Sequence, residues 1–234
     1  MKVKFPVSSF QFQRFVTAIF ISGIMLAPAA VRGADPGADV NLLKNPGFEE
    51  SVKINTIQHH YFRKLLARSV EVEQGDAVIL PAGWTPNSDD GWGIGNAGVF
   101  RYVEGAPGKE VFSGNRALFL ACKGHAAVMD GGCKVYHEKI PEETGLQLNK
   151  PNRFSIYARG SGKLRVYVYT YDRRGINIYG KIKVTPSDFT LTNEWTQYEG
   201  TVEFTSKEVG SCIFVVGVRK GEVTVDDAAF YGEK

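Results

Sequence analysis

Catalytic signatures are what this sequence most plainly lacks. It has no Gly-x-Ser-x-Gly, no His-Glu-x-x-His and no Gly-x-x-x-x-Gly-Lys-Ser/Thr phosphate loop. Nucleophile-elbow hydrolysis, zincin chemistry and P-loop nucleotide hydrolysis therefore have no motif to rest on. The acid pairs Asp89–Asp90 and Glu142–Glu143 are adjacent in sequence, so their side chains diverge instead of framing a glycosidic bond. Cysteine is scarce: Cys122, Cys133 and Cys212 are the three present, and none stands at zinc spacing from another Cys or a His. Surplus charge is missing too. Lys and Arg total 28 against 25 Asp and Glu, and without Lys2, Lys4 and Arg14 the balance is 28 − 3 = 25 positive against 25 negative. A polyphosphate partner requires a basic surface, so nucleic acid is not an expected partner, whereas a neutral glycan makes no such demand.

Long apolar runs are also few. The stretch Phe15–Ala30 is about sixteen residues, short of the roughly 20 that span a bilayer. It follows the basic residues Lys2, Lys4 and Arg14, and Ala27-Pro28-Ala29 forms a small-x-small cleavage site. Residues 1–29 read as a signal peptide, with an uncleaved anchor as the alternative. Residues 30–39 read as a flexible lead-in and 40–234 as one β domain. Cleavage after Ala29 leaves 234 − 29 = 205 residues, which suits a single large β domain. The expected location is secreted, periplasmic or at the cell surface, with no membrane contact after cleavage. In such an oxidising compartment, Cys122 and Cys133 flank Lys123–Gly132 and are placed to bridge that loop. The alternative is three buried thiols.

Strand pattern is what the sequence has in quantity. Arg116–Cys122, Cys133–Ile140, Asn152–Arg159 and Lys163–Tyr171 alternate or run apolar as strands do, and Gly160-Ser161-Gly162 predicts a tight hairpin link. Further strands are expected at Gly180–Val184, Thr196–Phe204, Cys212–Arg219 and Glu222–Tyr231. Short strands at this spacing predict a sandwich or jelly roll. Residues 51–80 are of mixed pattern. Ile57, Tyr61, Phe62, Leu65 and Leu66 have helical spacing, while Ser69–Glu73 alternates. The region reads as an insertion after the first strand, containing a short helix or a hairpin.

Six landmarks stand in a fixed order. Asn41–Glu49 (NLLKNPGFE) opens the domain and Gly221–Phe230 (GEVTVDDAAF) closes it, with Pro81–Trp84 (PAGW), Ser113–Leu118 (SGNRAL), Tyr157–Gly160 (YARG) and Asn193–Tyr198 (NEWTQY) between. Together they resemble the carbohydrate-binding modules of the cellulose- and xylan-binding (CenC-like) type, in the galactose-binding-like superfamily. The resemblance covers residues 40 to 232. It implies an all-β jelly-roll sandwich of two antiparallel sheets, with the two chain ends side by side. It also implies reversible binding of a polysaccharide or oligosaccharide without turnover, and a separate glycoside hydrolase as associated partner. A structural calcium is implied where the first and last strands meet, with Glu49 and Asp226 as carboxylate ligands and Asp227 as the alternative. Ca²⁺ takes six to eight hard oxygens, so two carboxylates need loop carbonyls beside them.

Sugar recognition needs flat apolar faces with polar groups around them. On 163–171 the two-residue period puts Arg165, Tyr167, Tyr169 and Tyr171 on one face and Leu164, Val166, Val168 and Thr170 on the other. The tyrosine face is the expected binding stripe, the alternative being that it packs under 51–80. Trp92, among the glycines of Asp89–Gly95, is the expected rim platform. Trp84 and Trp195 are expected in the core. The competing functions are a structural or cell-surface contact protein on the same fold, and a glycan-active hydrolase or lyase with an unrecognised site.

Overall fold

Alternating apolar residues set strands along nearly all of the domain in a computed structural model that describes residues 39–55, 70–71, 77–87, 98–122 and 133–232. In chain order these are β1 (Val40–Asn41), β2 (Ser51–Asn55), β3 (Val70–Glu71), β4 (Ala77–Pro81), β5 (Trp84–Asn87), β6 (Gly98–Glu104) and β7 (Arg116–Cys122). There follow β8 (Cys133–His137), β9 (Ile140–Pro141), a 3₁₀ turn at Glu142–Thr144, β10 (Asn152–Asp172), β11 (Ile182–Thr185), β12 (Asp188–Thr190), β13 (Thr196–Phe204) and β14 (Val209–Gly232). All belong to the unit Pro36–Lys234. The leader and most of the lead-in lie outside the described residues. Among the described residues, no helix is long and apolar enough to cross a membrane.

The fold is organised by β10 and β14, 21 and 24 residues long, which pair antiparallel from end to end. The hairpin expected at Gly160–Gly162 is instead a bend within one continuous strand. Gly160, Gly162 and Gly221 take φ of +147°, +98° and +89°. A Cβ on Gly162 would lie 1.8 Å from the Lys220 carbonyl oxygen, and one on Gly221 would lie 2.2 Å from that of Ser161. Both strands bend at the same level because both lack side chains there. Glycine permits a reversal and a bend alike, so the local sequence does not distinguish them; the pairing partner decides. The same bend joins the expected strands 212–219 and 222–231 into one.

Each bent strand contributes a half to two layers. Residues 152–159 and 222–232 join β13, β11, β7 and β6, while 163–172 and 209–218 join β12, β8, β9 and β5. The layers close on each other around aromatic residues from both. Phe214 and Phe230 stack at 5.3 Å, and Phe154 lies 5.9 Å from Phe214; all three are buried. Burying each such ring stabilises by roughly 1.5–3 kcal/mol. The architecture is the all-β jelly-roll sandwich expected from the strand pattern.

The first and last described strands lie side by side. Val40 pairs with Gly232 and Asn41 with Tyr231. The Asn41 side chain locks the join, accepting the Phe230 and Leu43 amides at 3.0 and 3.1 Å and donating to the Ala228 carbonyl at 3.2 Å. The stems of the insertion, β2 and β4, form a separate two-stranded ladder, and β3 pairs parallel with β6. The residues at helical spacing lie outside the described residues. Trp84 is in the core as expected, 5.2 Å from Phe48 and 5.0 Å from the His137 ring. Trp195 departs from expectation. It is half-buried on the outer side of the first layer, where its indole N–H donates to the Lys109 carbonyl at 2.9 Å.

Candidate functional site

The period of β10 holds through its second half. Leu164, Val166, Val168 and Thr170 are buried in the core, and Arg165, Tyr167, Tyr169 and Tyr171 are half-exposed on the opposite face. Register extends this face across the layer. Tyr167 stands beside Val215 of β14, which stands beside Tyr136 of β8 and then Thr85 of β5. Tyr136 and Tyr169 meet at 5.7 Å with tilted rings. Tyr136 is the residue that sequence reading missed. Its strand was expected, but only cross-strand register brings it to Tyr169.

Charge is laid over the rings. The Lys134 ammonium sits 5.0 Å from the Tyr167 ring centre and that of Lys139 lies 4.4 Å from the Tyr171 ring. The Arg165 guanidinium lies 5.6 Å from the Tyr167 ring and is ion-paired to Asp188 on the neighbouring β12. Such cation–π contacts fix ring orientation. Beyond Tyr171, the loop 172–180 folds back on β10, with the Ile178 amide donating to the Thr170 carbonyl at 2.9 Å. Tyr179 follows and is 81% exposed, the largest exposure of the large apolar and aromatic side chains described. Trp92 lies outside the described residues.

The two residues expected as metal ligands, Glu49 and Asp226, both reach the loop between β6 and β7. Glu49 Oε1 accepts the amides of Asn115 and Arg116 at 2.9 and 3.0 Å. Asp226 Oδ2 accepts those of Phe112 and Ser113 at 3.0 and 3.1 Å, and its Oδ1 accepts the Asp227 amide at 2.8 Å. Two carboxylates thus grip the loop between β6 and β7. Gly114 is required there, since a Cβ would fall 2.0 Å from Glu49 Oε1. A Cβ on Gly47 would lie 3.0 Å from an oxygen of Asp227 and 3.7 Å from one of Asp226, so the acids from both ends converge on Gly47. Asp226 is fully buried. Burial pushes its carboxyl up to about 7, against the opposing pull of the amides and with Asp227 adding to the rise. Among the described residues, no three His, Cys, Asp or Glu side chains are arranged to hold a metal. A cation at this junction would have to draw on main-chain carbonyls.

Cys122 is half-buried and Cys133 buried. β7 and β8 follow one another along the same edge of β14, which sets Cys122 opposite Gly221 and Cys133 opposite Val218. The Cys133 thiol is pushed up to about 12, first by burial and then by the nearby Cys122. Cys212 is fully buried in the core. Of the acid pairs set aside as catalysts, Glu142 is ion-paired to Arg173 at 2.8 Å, and Asp89 and Asp90 lie outside the described residues.

No protein-family profile matches the chain, and no curated protein matches it. Solved structures do. The enzymatically active domain of tailspike protein 4 of bacteriophage CBA120 is 11% identical, with 65% of this chain and 20% of that chain covered and a TM-score of 0.44. This chain thus spans about a fifth of the tailspike's length. The CBM22-1 xylan-binding domain of Paenibacillus barcinonensis Xyn10C is 14% identical over 65% of this chain and 86% of that one, at 0.41. The module TmCBM61, solved with β-1,4-galactotriose, is 15% identical over 83% and 99%, at 0.40. At such identities and scores, the ligand and activity of this chain rest on its own residues.

Proposed function

We propose that this protein is an exported, non-catalytic module that binds a polysaccharide or oligosaccharide on the outer face of the layer holding residues 163–172. The observation that carries the reading is the cluster of Tyr167, Tyr169 and Tyr171 on the non-core side of β10, with Tyr136 joining from β8. Half-buried rings offer flat C–H-binding surface at low entropy cost; the Tyr167 hydroxyl is itself buried, so Tyr169 and Tyr171 are the rings placed to meet sugar hydroxyls. Arg165 and Asp188 supply a fixed donor and acceptor at one end. The order of the six sequence landmarks supports the same reading. Reversible binding needs nothing further, and a separate glycoside hydrolase acting on the same glycan is the proposed partner.

Calcium at the end junction belongs to this proposal. The chemistry of the donors fits it: a fully buried carboxylate whose ionisation is resisted is stabilised by an adjacent cation, and Asp227 and Glu49 are at hand. Glu49, Asp226 and Asp227 would hold the ion together with main-chain carbonyls. The ion would pin the first and last strands to the loop between β6 and β7 and would take no part in sugar chemistry.

The test is a glycan array probed with purified residues 30–234, followed by incubation of each hit with the protein and mass analysis of the glycan. The expected result is saturable binding to a defined glycan whose chain length is unchanged. Shortened or unsaturated products would replace the reading with a hydrolase or lyase. Absence of any glycan hit would favour a protein-contact role.

A further inference from the structure

The outer face of the other layer carries a recess of about 220 Å³, lined by Phe119, Arg159, Asn193, Glu222 and Thr224 over the backbone of Gly160. It lies at the level of the bend. Gly160 pairs with Val223, whose side chain is wholly in the core, so at this level the sheet surface is bare main chain. A Cβ on Gly160 would meet the Glu222 carbonyl oxygen at 2.2 Å. The residue cannot gain a side chain.

Its walls are held in place by contacts of their own. The Arg159 guanidinium donates to the Glu110 carbonyl at 3.2 Å and lies 4.9 Å from the centre of the Trp195 ring. The Phe119 ring is backed by the Arg101 guanidinium at 4.5 Å. A site whose groups are already ordered loses little entropy on binding. The lining sets a guanidinium, a carboxylate, a carboxamide and a hydroxyl around an aromatic ring. A phosphate site would gather donors without the Glu222 carboxylate, and an apolar ligand would leave the charged rim unpaired. Alternating donors and acceptors beside a ring match the hydroxyls and C–H face of a sugar. The volume lies below the roughly 300–1,000 Å³ of sites for drug-sized ligands, which suits a single sugar ring.

We infer that this recess is a second saccharide site, taking a single pyranose unit on the layer opposite the tyrosine face. The geometry of the recess is independent of that face, while the choice of a sugar as ligand class rests on the reading above. Two sites on opposite layers let one molecule hold two glycan segments at once, so that avidity exceeds either affinity.

The experiment is a ¹H–¹⁵N correlation titration of residues 30–234 with methyl β-D-xyloside, methyl β-D-glucoside and methyl β-D-galactoside at millimolar concentrations. The expected result is a saturable shift of the Gly160, Val223 and Thr224 amides with at least one of the three. Asn193→Ala and Glu222→Gln, both at exposed positions, should each weaken that response by roughly tenfold, the loss of one hydrogen bond to a charged or well-placed polar group. Tyr169→Ala should leave it intact. Shifts restricted to β8 and the second half of β10 would overturn the second site and leave the tyrosine face standing. Recess shifts without any at the tyrosines would support the second site and leave the tyrosine face to be tested by the longer glycan. An unchanged spectrum with all three probes would also overturn the inference.

Discussion

At the scale of single residues, the buried carboxyl of Asp226 sets a measurable pH dependence. Its pKa is raised from 3.8 to about 7, so the protonated acid is the form the fold prefers. Its contribution is fully present below pH 3.8 and is lost as pH rises through about 7. Complete ionisation costs on the order of 4 kcal/mol. In chelator, the melting temperature of wild type should fall relative to that of Asp226→Asn as pH is raised from 4 to 7.5. Millimolar calcium should restore stability at the alkaline end, by about 2.7 kcal/mol at a hundredfold excess over Kd. Identical melting curves in chelator and calcium at pH 8 would remove the metal from the account. His137 acts on the other flank. Its Nε2 accepts the Lys44 amide at 2.8 Å, and its Nδ1 faces the Glu138 carbonyl at 2.8 Å. A carbonyl only accepts and an amide N–H only donates, so the ring is the neutral Nδ1–H tautomer. Burial lowers its pKa below 6.5. Stability should therefore be lost as pH falls below 6.5, and His137→Gln, which cannot gain the proton, should lessen the loss in acid melts.

Elements were legible in the sequence to the extent that their cause is local. β7 and β13 have the expected bounds, and the core and outer faces of β10 follow from two-residue alternation alone. The pairing of the two ends followed from motif order. What was not legible depends on partners distant in sequence. The Gly160–Gly162 bend turns on Gly221 facing it across β14, and Tyr136 reaches Tyr169 only through register. Trp195 was misplaced because its motif does not reveal that the β6–β7 loop folds over the first layer to accept its N–H. The bend itself is testable. Gly162→Ala places a methyl against the Lys220 carbonyl at a positive φ, which should cost at least about 3 kcal/mol. Gly175→Ala is a fitting control, since nothing lies within 4 Å of its Cβ. A melting temperature for Gly162→Ala no lower than the control's would contradict the bend. The β7–β8 junction is testable by chemistry. Protein exported to an oxidising compartment should show Cys122 and Cys133 cross-linked on peptide mapping, with reduction lowering stability by about 2–3 kcal/mol. Equal alkylation of all three cysteines in unreduced, unfolded protein would argue against the bridge.

For the whole molecule, one construction accounts for both candidate surfaces. Two long strands bend together at three glycines, fold their halves into facing layers, and bury one face of each around Phe154, Phe214 and Phe230. The second layer turns its tyrosines outward, and the first turns outward the recess beside the bend. The ends of the chain meet at Glu49 and Asp226, away from the rings, so metal loss and sugar binding should be separable. Chelator should lower the melting temperature of Tyr169→Ala as much as that of the wild type. The central claim is that glycan binds on the tyrosine face, and isothermal titration of the array-selected glycan into wild type, Tyr169→Ala and Tyr136→Ala tests it most directly. The account predicts unchanged melting temperatures and a loss of about 1–2 kcal/mol of binding free energy for each substitution, with little response to salt for an uncharged glycan. Wild-type affinity in folded Tyr169→Ala and Tyr136→Ala would contradict it.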